Sequence, residues 1–251
     1  MDRRDFLERL VVLAPAPVLA PQAAQSSVRI ADDELQWVAG DLPPFAWQAG
    51  DGSAQGYAHD LALAMSQRLG RPGRVSFYPW ARAVKMTSEG SRFGVFPLAR
   101  TPEREHRFRW LIPLMRVQYT LVGRAEDKPM TLDQLRRSPI GVLRGSPIVS
   151  NLQNEEFSNI REAKDYKDLL RMLNEKSLKA IYAGAPMLQA AIDEYGHNRA
   201  AYITHTTLGE ATLYMGASLG LPEAEAERWI KAYQQLQADG SVARLQQRYL
   251  R

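Results

Sequence analysis

The chain has 251 residues, 45% of them hydrophobic, no cysteine, and a formal net charge of +4 from 32 Lys and Arg against 28 Asp and Glu. That length and apolar content suit one large domain or two lobes of about 100 residues each and exclude a disordered chain. The lack of cysteine excludes disulfides, thiolate metal sites, cysteine nucleophiles and a lipid-anchored cysteine, and basic residues scattered among acidic ones are weak evidence for nucleic acid, suiting a small anionic ligand as well as a polymer.

The first segment, MDRRDFLERLVVLAPAPVLAPQAAQSS, sets Arg3 and Arg4 before Phe6 and Leu7, then runs through a short apolar stretch from Leu10 to Ala20 to small residues around Ala24. This is similar to the twin-arginine export signal and predicts a signal peptide over residues 1–24, with the protein delivered to the periplasm. The stretch is too short, and too broken by Pro15, Pro17 and Pro21, to span a bilayer. The alternative is an ordinary amphipathic amino-terminal helix. Within residues 1–24 the charges of Arg3, Arg4 and Arg9 cancel those of Asp2, Asp5 and Glu8, so removing the segment leaves +4.

From LQWVAGDLPPFAW onward, short apolar runs alternate with amphipathic helices, the rhythm of an α/β protein. Leu35 to Ala39 reads as a first strand, and GDGSAQG as a hairpin turn. HDLALAMSQRLG places Leu61, Ala64, Met65 and Leu69 on one helical face, with Asp60 near its start and Gly70 just past its end. RVSFYPW follows as a strand, ARAVKMTSEG as a helix and RFGVFPLA as a third strand. VQYTLVGR is another strand, and Thr131 followed by Gln134 marks a capping box for a short helix.

PIGVLRGS then restarts the rhythm: strand, Gly-Ser turn, helix over Val149 to Glu155, strand near Ile160, helix at YKDLLRMLNEK and strand at LKAIYAG. The restart predicts a second lobe. Pro222 sits at the first turn of a long helix that ends at a glycine, and Ser241 is expected to cap a final helix ending at Tyr249.

Taken in order, GDLPPF, GYAHDLALAMSQRLG, YPWARAV, ARTPEREHRFRW, GVLRGS and LQADGSVARLQQRYL resemble the bacterial extracellular solute-binding proteins that serve polar amino-acid uptake, over nearly the whole chain from Leu35 to Tyr249. The resemblance implies the type II periplasmic-binding fold: two α/β lobes joined by two crossing strands and closing over a ligand by a hinge. It assigns residues 25–123 and 213–251 to lobe one and 124–212 to lobe two, with crossings near TLVGR and EATLYMG. It also implies a monomer that takes up a small carboxylate-bearing ligand, works with the membrane permease of an ABC-type importer, and needs no cofactor.

The same resemblance nominates a ligand site in the loops beyond the carboxyl ends of strands. TPER matches the segment whose arginine binds the ligand carboxylate, which gives that role to Arg104, with Ala99 and Arg100 at the end of the preceding strand. Arg100 is open between ligand contact and structure, while Arg107 and Arg109 read as solvated or structural. Trp80 is the first choice for a ring over the ligand's apolar part, and Phe45 the second or else core. Asp41 either touches ligand polar groups or forms a turn, and Arg82 either faces the cleft or caps the next helix. Gly145 and Ser146 occupy the Gly-Ser/Thr turn where N–H groups and a hydroxyl grip an anion, with Arg144 beside them as a second cation.

One departure concerns the ligand's amine. Relatives carry an aspartate two residues before the proline of IYAGAP, where it pairs with the ligand ammonium, and here Gly184 takes that place. The expected ligand is therefore a carboxylate whose α-amine is absent, substituted or exposed. A few relatives act as dehydratases on prephenate-like acids, but no carboxylate here stands in a motif for that role. A sensory module reporting its closed state to a membrane partner is a further alternative. His59, His106, His197 and His205 lack metal-ligand spacing.

Overall fold

The structure is a computed structural model that describes residues 34–250. The export signal expected over residues 1–24 lies outside the described residues. The elements in chain order are β1 (Gln36–Ala39), β2 (Trp47–Gln48), β3 (Ala54–Gln55), α1 (Tyr57–Arg68), β4 (Val75–Phe77), α2 (Trp80–Glu89), β5 (Phe93–Ala99) and β6 (Arg109–Arg124). They continue with α3 (Leu132–Arg136), β7 (Ile140–Leu143), α4 (Ile148–Asn154), β8 (Ile160–Ala163), α5 (Tyr166–Asn174), β9 (Ala180–Gly184), α6 (Ala185–Glu194), β10 (Tyr202–Ala217), α7 (Glu223–Ala238) and α8 (Ser241–Tyr249).

One mixed sheet runs through the molecule in the order β4-β1-β5-β10-β6-β9-β7-β8. On one side β4, β1 and β5 are parallel, and on the other β9, β7 and β8 are parallel. The long strands β6 and β10, 16 residues each, pair antiparallel between these groups and belong to both halves. This is the two-lobed α/β arrangement with crossing strands that the sequence leads one to expect. The inner parallel strands β1, β5, β7 and β9 are largely buried because helices cover them, as crossover connections require, while the edge strands β4 and β8 stay partly exposed.

One apolar core runs through both halves. In the first, Trp37 of β1 packs on Phe96 of β5 and, edge-on at 5.2 Å, on Trp229 of α7, which locks that helix to the sheet. Glu225 is buried one turn before Trp229, accepts its indole N–H at 2.8 Å and pairs with Arg71. In the second half, α5 turns Leu169, Leu170 and Leu173 inward against β7 and β9, following the helical spacing of YKDLLRML.

Local signals resolve mostly as the residues predict. GDGSAQG does turn a hairpin, with Trp47 opposite Gln55. Thr131 and Gln134 form a reciprocal capping box: the Gln134 N–H donates to Thr131 Oγ1 at 3.3 Å, and the Thr131 N–H to Gln134 Oε1 at 2.9 Å. Several boundaries differ. The strand read through Trp80 ends at Phe77 and Trp80 opens α2, and Pro222 caps α7 from outside its first turn. Ser241 is the first residue of α8 and Gly240, in left-handed backbone at φ +78°, occupies the cap, because the tight entry from α7 needs a residue without Cβ. β6 begins at Arg109, ahead of VQYTLVGR, and β10 reaches back to Tyr202, through residues that are half exposed and carry no apolar run.

Candidate ligand-binding site

The carboxyl ends of all six parallel strands face one cleft, so the loop after each contributes. β1 is followed by Asp41 and Leu42, β4 by Tyr78 and Trp80, and β5 by Arg104. From the other half, β7 is followed by Ser146, β8 by Lys164, Asp165 and Tyr166, and β9 ends in Gly184, with Met187 in the next turn. The helices α2, α5 and α6 begin at this cleft, and their amino ends direct positive potential into it.

Arg104 sits in a short helical turn after β5, is 7% exposed, and lines a cavity of about 30 Å³. Its guanidinium donates to the carbonyl of Gly145 in the opposite lobe at 2.8 Å and to that of Ala99 at 3.4 Å. Among the described residues no carboxylate forms an ion pair with it. Burial, the largest influence, pushes its pKa down to about 10, so at neutral pH it remains a charged group short of negative partners. A buried cation in that condition favours an anion beside it.

The remaining wall is apolar and aromatic. Trp80, Leu42, Pro97 and Leu213 close it from one half, and Leu143, Ile148, Tyr166 and Met187 from the other, with Tyr119 on β6. Tyr119 and Tyr166 are 3% exposed, and burial raises both phenol pKa values, so both hydroxyls stay protonated. Ser146 supplies one more hydroxyl.

Gly184 lines the same cavity, with the flexible end of Met187 packed beside it. A Cβ at this position would come within 2.5 Å of Met187 Cε and 3.1 Å of Met187 Sδ. The space an aspartate would need is filled by a thioether.

A second, larger cavity of about 270 Å³ shares Leu42, Trp80 and Leu143 with the first and is also lined by Asp41, Gln48, Phe77, Tyr78, Lys164 and Asp165. Asp41 accepts from the Gln48 N–H at 3.3 Å and, across the cleft, from the Tyr195 hydroxyl at 3.2 Å. Burial raises its pKa against the opposing pull of those two hydrogen bonds.

The site residues expected from the sequence therefore fall into groups. Arg104, Trp80, Ala99, Ser146 and Gly184 line the smaller cavity, Gly145 meets Arg104 through its carbonyl, and Asp41 lines the larger one. Phe45 is fully buried against Tyr57 in the core and lines neither cavity. Arg100 lies outside the lining: it pairs with Glu105 at 2.8 Å and stacks on Trp110 and Tyr214, each at 5.4 Å. Arg144 is exposed near Glu162, and Arg82 is exposed over the Tyr78 ring at 4.9 Å. Sequence reasoning did not find Tyr119, Tyr166, Leu42, Leu143 or Met187. The position of Tyr166 directly after a strand was the available signal; Tyr119 lies mid-strand and carried none. Among the described residues no group of His, Asp or Glu gathers to hold a metal, and no helix is long and apolar enough to cross a membrane.

Comparison with known proteins gives the site a context. The family model described as bacterial extracellular solute-binding proteins, family 3, matches residues 37–251. Among solved structures, a mutant of ArgBP from T. maritima superposes with TM-score 0.77 at 15% identity, covering 86% of this chain and 95% of the other. A histidine kinase sensor domain with similarity to periplasmic binding proteins gives 0.77 at 17% identity, with 87% and 97% covered. An ABC uptake transporter substrate-binding protein from Streptococcus pneumoniae with bound histidine gives 0.76 at 15% identity, with 85% and 91% covered. At such identities the likeness shows the fold alone. A search of curated proteins found no match.

Proposed function

Because the chain belongs to the bacterial extracellular solute-binding proteins, family 3, we propose that its interlobe cleft captures a small carboxylate-bearing ligand that presents no α-ammonium to the protein, such as a keto acid, dicarboxylate or acylated amino acid, and hands it to the permease of an ABC-type importer. The observation that carries this is Arg104, a buried guanidinium with no carboxylate partner among the described residues, held between the two lobes. Gly184 and Met187 support the second half of the proposal, since they leave an apolar methyl group where an ammonium would need a carboxylate. The proposed place of work is the periplasm, as a monomer, in keeping with an extracellular family.

The proposed role is binding without turnover. Of the described residues around the smaller cavity, none is a carboxylate or histidine able to exchange protons with a ligand held by Arg104. A ligand-sensing role is the second reading, favoured by the histidine kinase sensor domain that shares the fold.

Calorimetric titration with a panel of keto acids, dicarboxylates and acylated amino acids tests the clamp. Arg104→Ala should weaken the best binder by roughly 2–5 kcal/mol, the cost of removing one partner of a buried charged hydrogen-bond pair. Arg107→Ala, whose side chain is exposed, should change it little. Equal losses at the two positions would replace the clamp with a diffuse positive field.

A further inference from the structure

Arg104 is the one charged side chain lining the smaller cavity, and two phenols, Tyr119 and Tyr166, line it as well. Both are buried, one on the crossing strand β6 and the other at the first position of α5. Neither hydroxyl has a hydrogen-bond partner among the described residues, and neither oxygen belongs to the fully enclosed polar atoms of the protein, so each is left to the cavity. Tyr119 stands opposite Gly184 in the β6–β9 pairing, with its ring edge at Cε1 3.7 Å from where a Cβ of residue 184 would lie. A carbon bonded to a carboxylate at Arg104 therefore meets a thioether and phenols.

The polar side chains of this cavity are donors. The Arg104 guanidinium is charged, burial keeps both phenols protonated, Ser146 adds a hydroxyl, and no ionised acceptor lines the space. The carbonyls of Gly145 and Ala99 already accept from Arg104. An ammonium would bring three donors and a charge into a space without an ionised acceptor, and an alcohol would bring one further donor. A carbonyl oxygen brings two lone pairs and no hydrogen, which matches two O–H donors. Size fixes where that oxygen sits. At about 10–15 Å³ for each water-sized group, a cavity of about 30 Å³ holds a carboxylate and the group beside it.

Building on the carboxylate reading above, we infer that the ligand is a 2-oxo acid, with its carboxylate on Arg104 and its 2-oxo oxygen accepting hydrogen bonds from the Tyr119 and Tyr166 hydroxyls. The two tyrosines are then the residues that select it over acids with no oxygen on that carbon. Of the keto acids, dicarboxylates and acylated amino acids compatible with Arg104, this favours the first.

The test is calorimetry with pairs of equal chain length, pyruvate against propionate, 2-oxobutyrate against butyrate and 2-oxoglutarate against glutarate, with lactate as the alcohol. In each pair that binds, the 2-oxo acid should bind about tenfold or more tightly, because the plain acid leaves two buried hydroxyls unpaired, and lactate should bind less tightly than pyruvate. Tyr119→Phe and Tyr166→Phe each remove one hydroxyl and keep the ring. Either should lower the ratio within a pair about fivefold, and the double variant should bring it to about one. A ratio of about one in the unmodified protein, lactate equal to pyruvate, or a ratio that survives the double variant overturns the inference; where Arg104→Ala still weakens binding, the carboxylate reading stands. If no member binds, or Arg104→Ala changes nothing, the carboxylate reading fails and takes the inference with it. The ratios in the unmodified protein decide the matter even if a variant folds poorly.

Discussion

A Cβ placed at position 184 would press on Met187 Cε at 2.5 Å, yet what it meets is the far end of a flexible side chain and not backbone. The exclusion of an ammonium partner at this point is therefore reversible. Gly184→Asp combined with Met187→Ala should create room and a carboxylate together, and confer at least about tenfold tighter binding of free α-amino acids, given that an unpaired ammonium in a desolvated site costs several kcal/mol. Calorimetry on the double variant checks this, and unchanged affinity would mean that the amine is read elsewhere. Asp41 makes a separate prediction through pH. Burial raises its pKa above the ordinary 3.8, so the folded state prefers the protonated acid, and the associated stability is present below 3.8 and lost as pH rises through the folded value. Asp41→Asn mimics the neutral form and keeps an acceptor for the Gln48 N–H. It should match the parent protein in acid and exceed it in denaturant midpoint at neutral pH. A difference that stays constant across that range would contradict burial as the cause.

The turn between β7 and α4 shows how one element serves both lobes. Gly145 has φ +78°, a left-handed backbone that costs a residue with a Cβ about 1–2 kcal/mol, and a Cβ there would also stand 2.8 Å from Ala81 Cα in α2 of the other half. Gly145→Ala should thus leave each half folded but hold the turn off α2 and carry the Gly145 carbonyl away from Arg104. Small-angle scattering in the presence of saturating ligand should show a larger radius of gyration than the parent protein, and an identical radius would show that the turn yields without opening the cleft. The sequence RGS after an apolar run made this turn legible as a strand-to-helix junction at the site. That its carbonyl, and not only its N–H groups, would face the arginine was not legible, since the orientation of a peptide plane leaves no trace in residue type. The amino-terminal part of the long strand β10, ahead of EATLYMG, escaped notice for a related reason: Thr204, Thr206, Thr207 and Glu210 pair with β6 over a partly solvated surface and so lack the alternation that marks a half-buried strand.

At the scale of the molecule, the restart of the strand-helix rhythm at PIGVLRGS was enough to expect a second lobe, and the residue order was enough to nominate Arg104, Trp80, Ser146 and Gly184, which the fold does bring to one cavity. The aromatic wall was not readable in the same way. Tyr119 is one of several apolar residues along β6 and Tyr166 looks like the first inward residue of an amphipathic helix, and periodicity says that such side chains are buried without saying against which lobe. Arg100 is the converse case: next to the cleft in sequence, it is drawn away by Glu105, Trp110 and Tyr214, because an ion pair and two ring faces lie on the outer side of the strand end. The proposed function is capture of a carboxylate at Arg104 with no carboxylate at position 184 to pair an α-amine. Calorimetry against matched pairs, each an α-amino acid and its deaminated analogue of equal chain length, tests that claim most directly. The account predicts that in each pair that binds, the deaminated acid binds at least as tightly as the amino acid and that both depend on Arg104; tight binding that requires the free α-amine would contradict it.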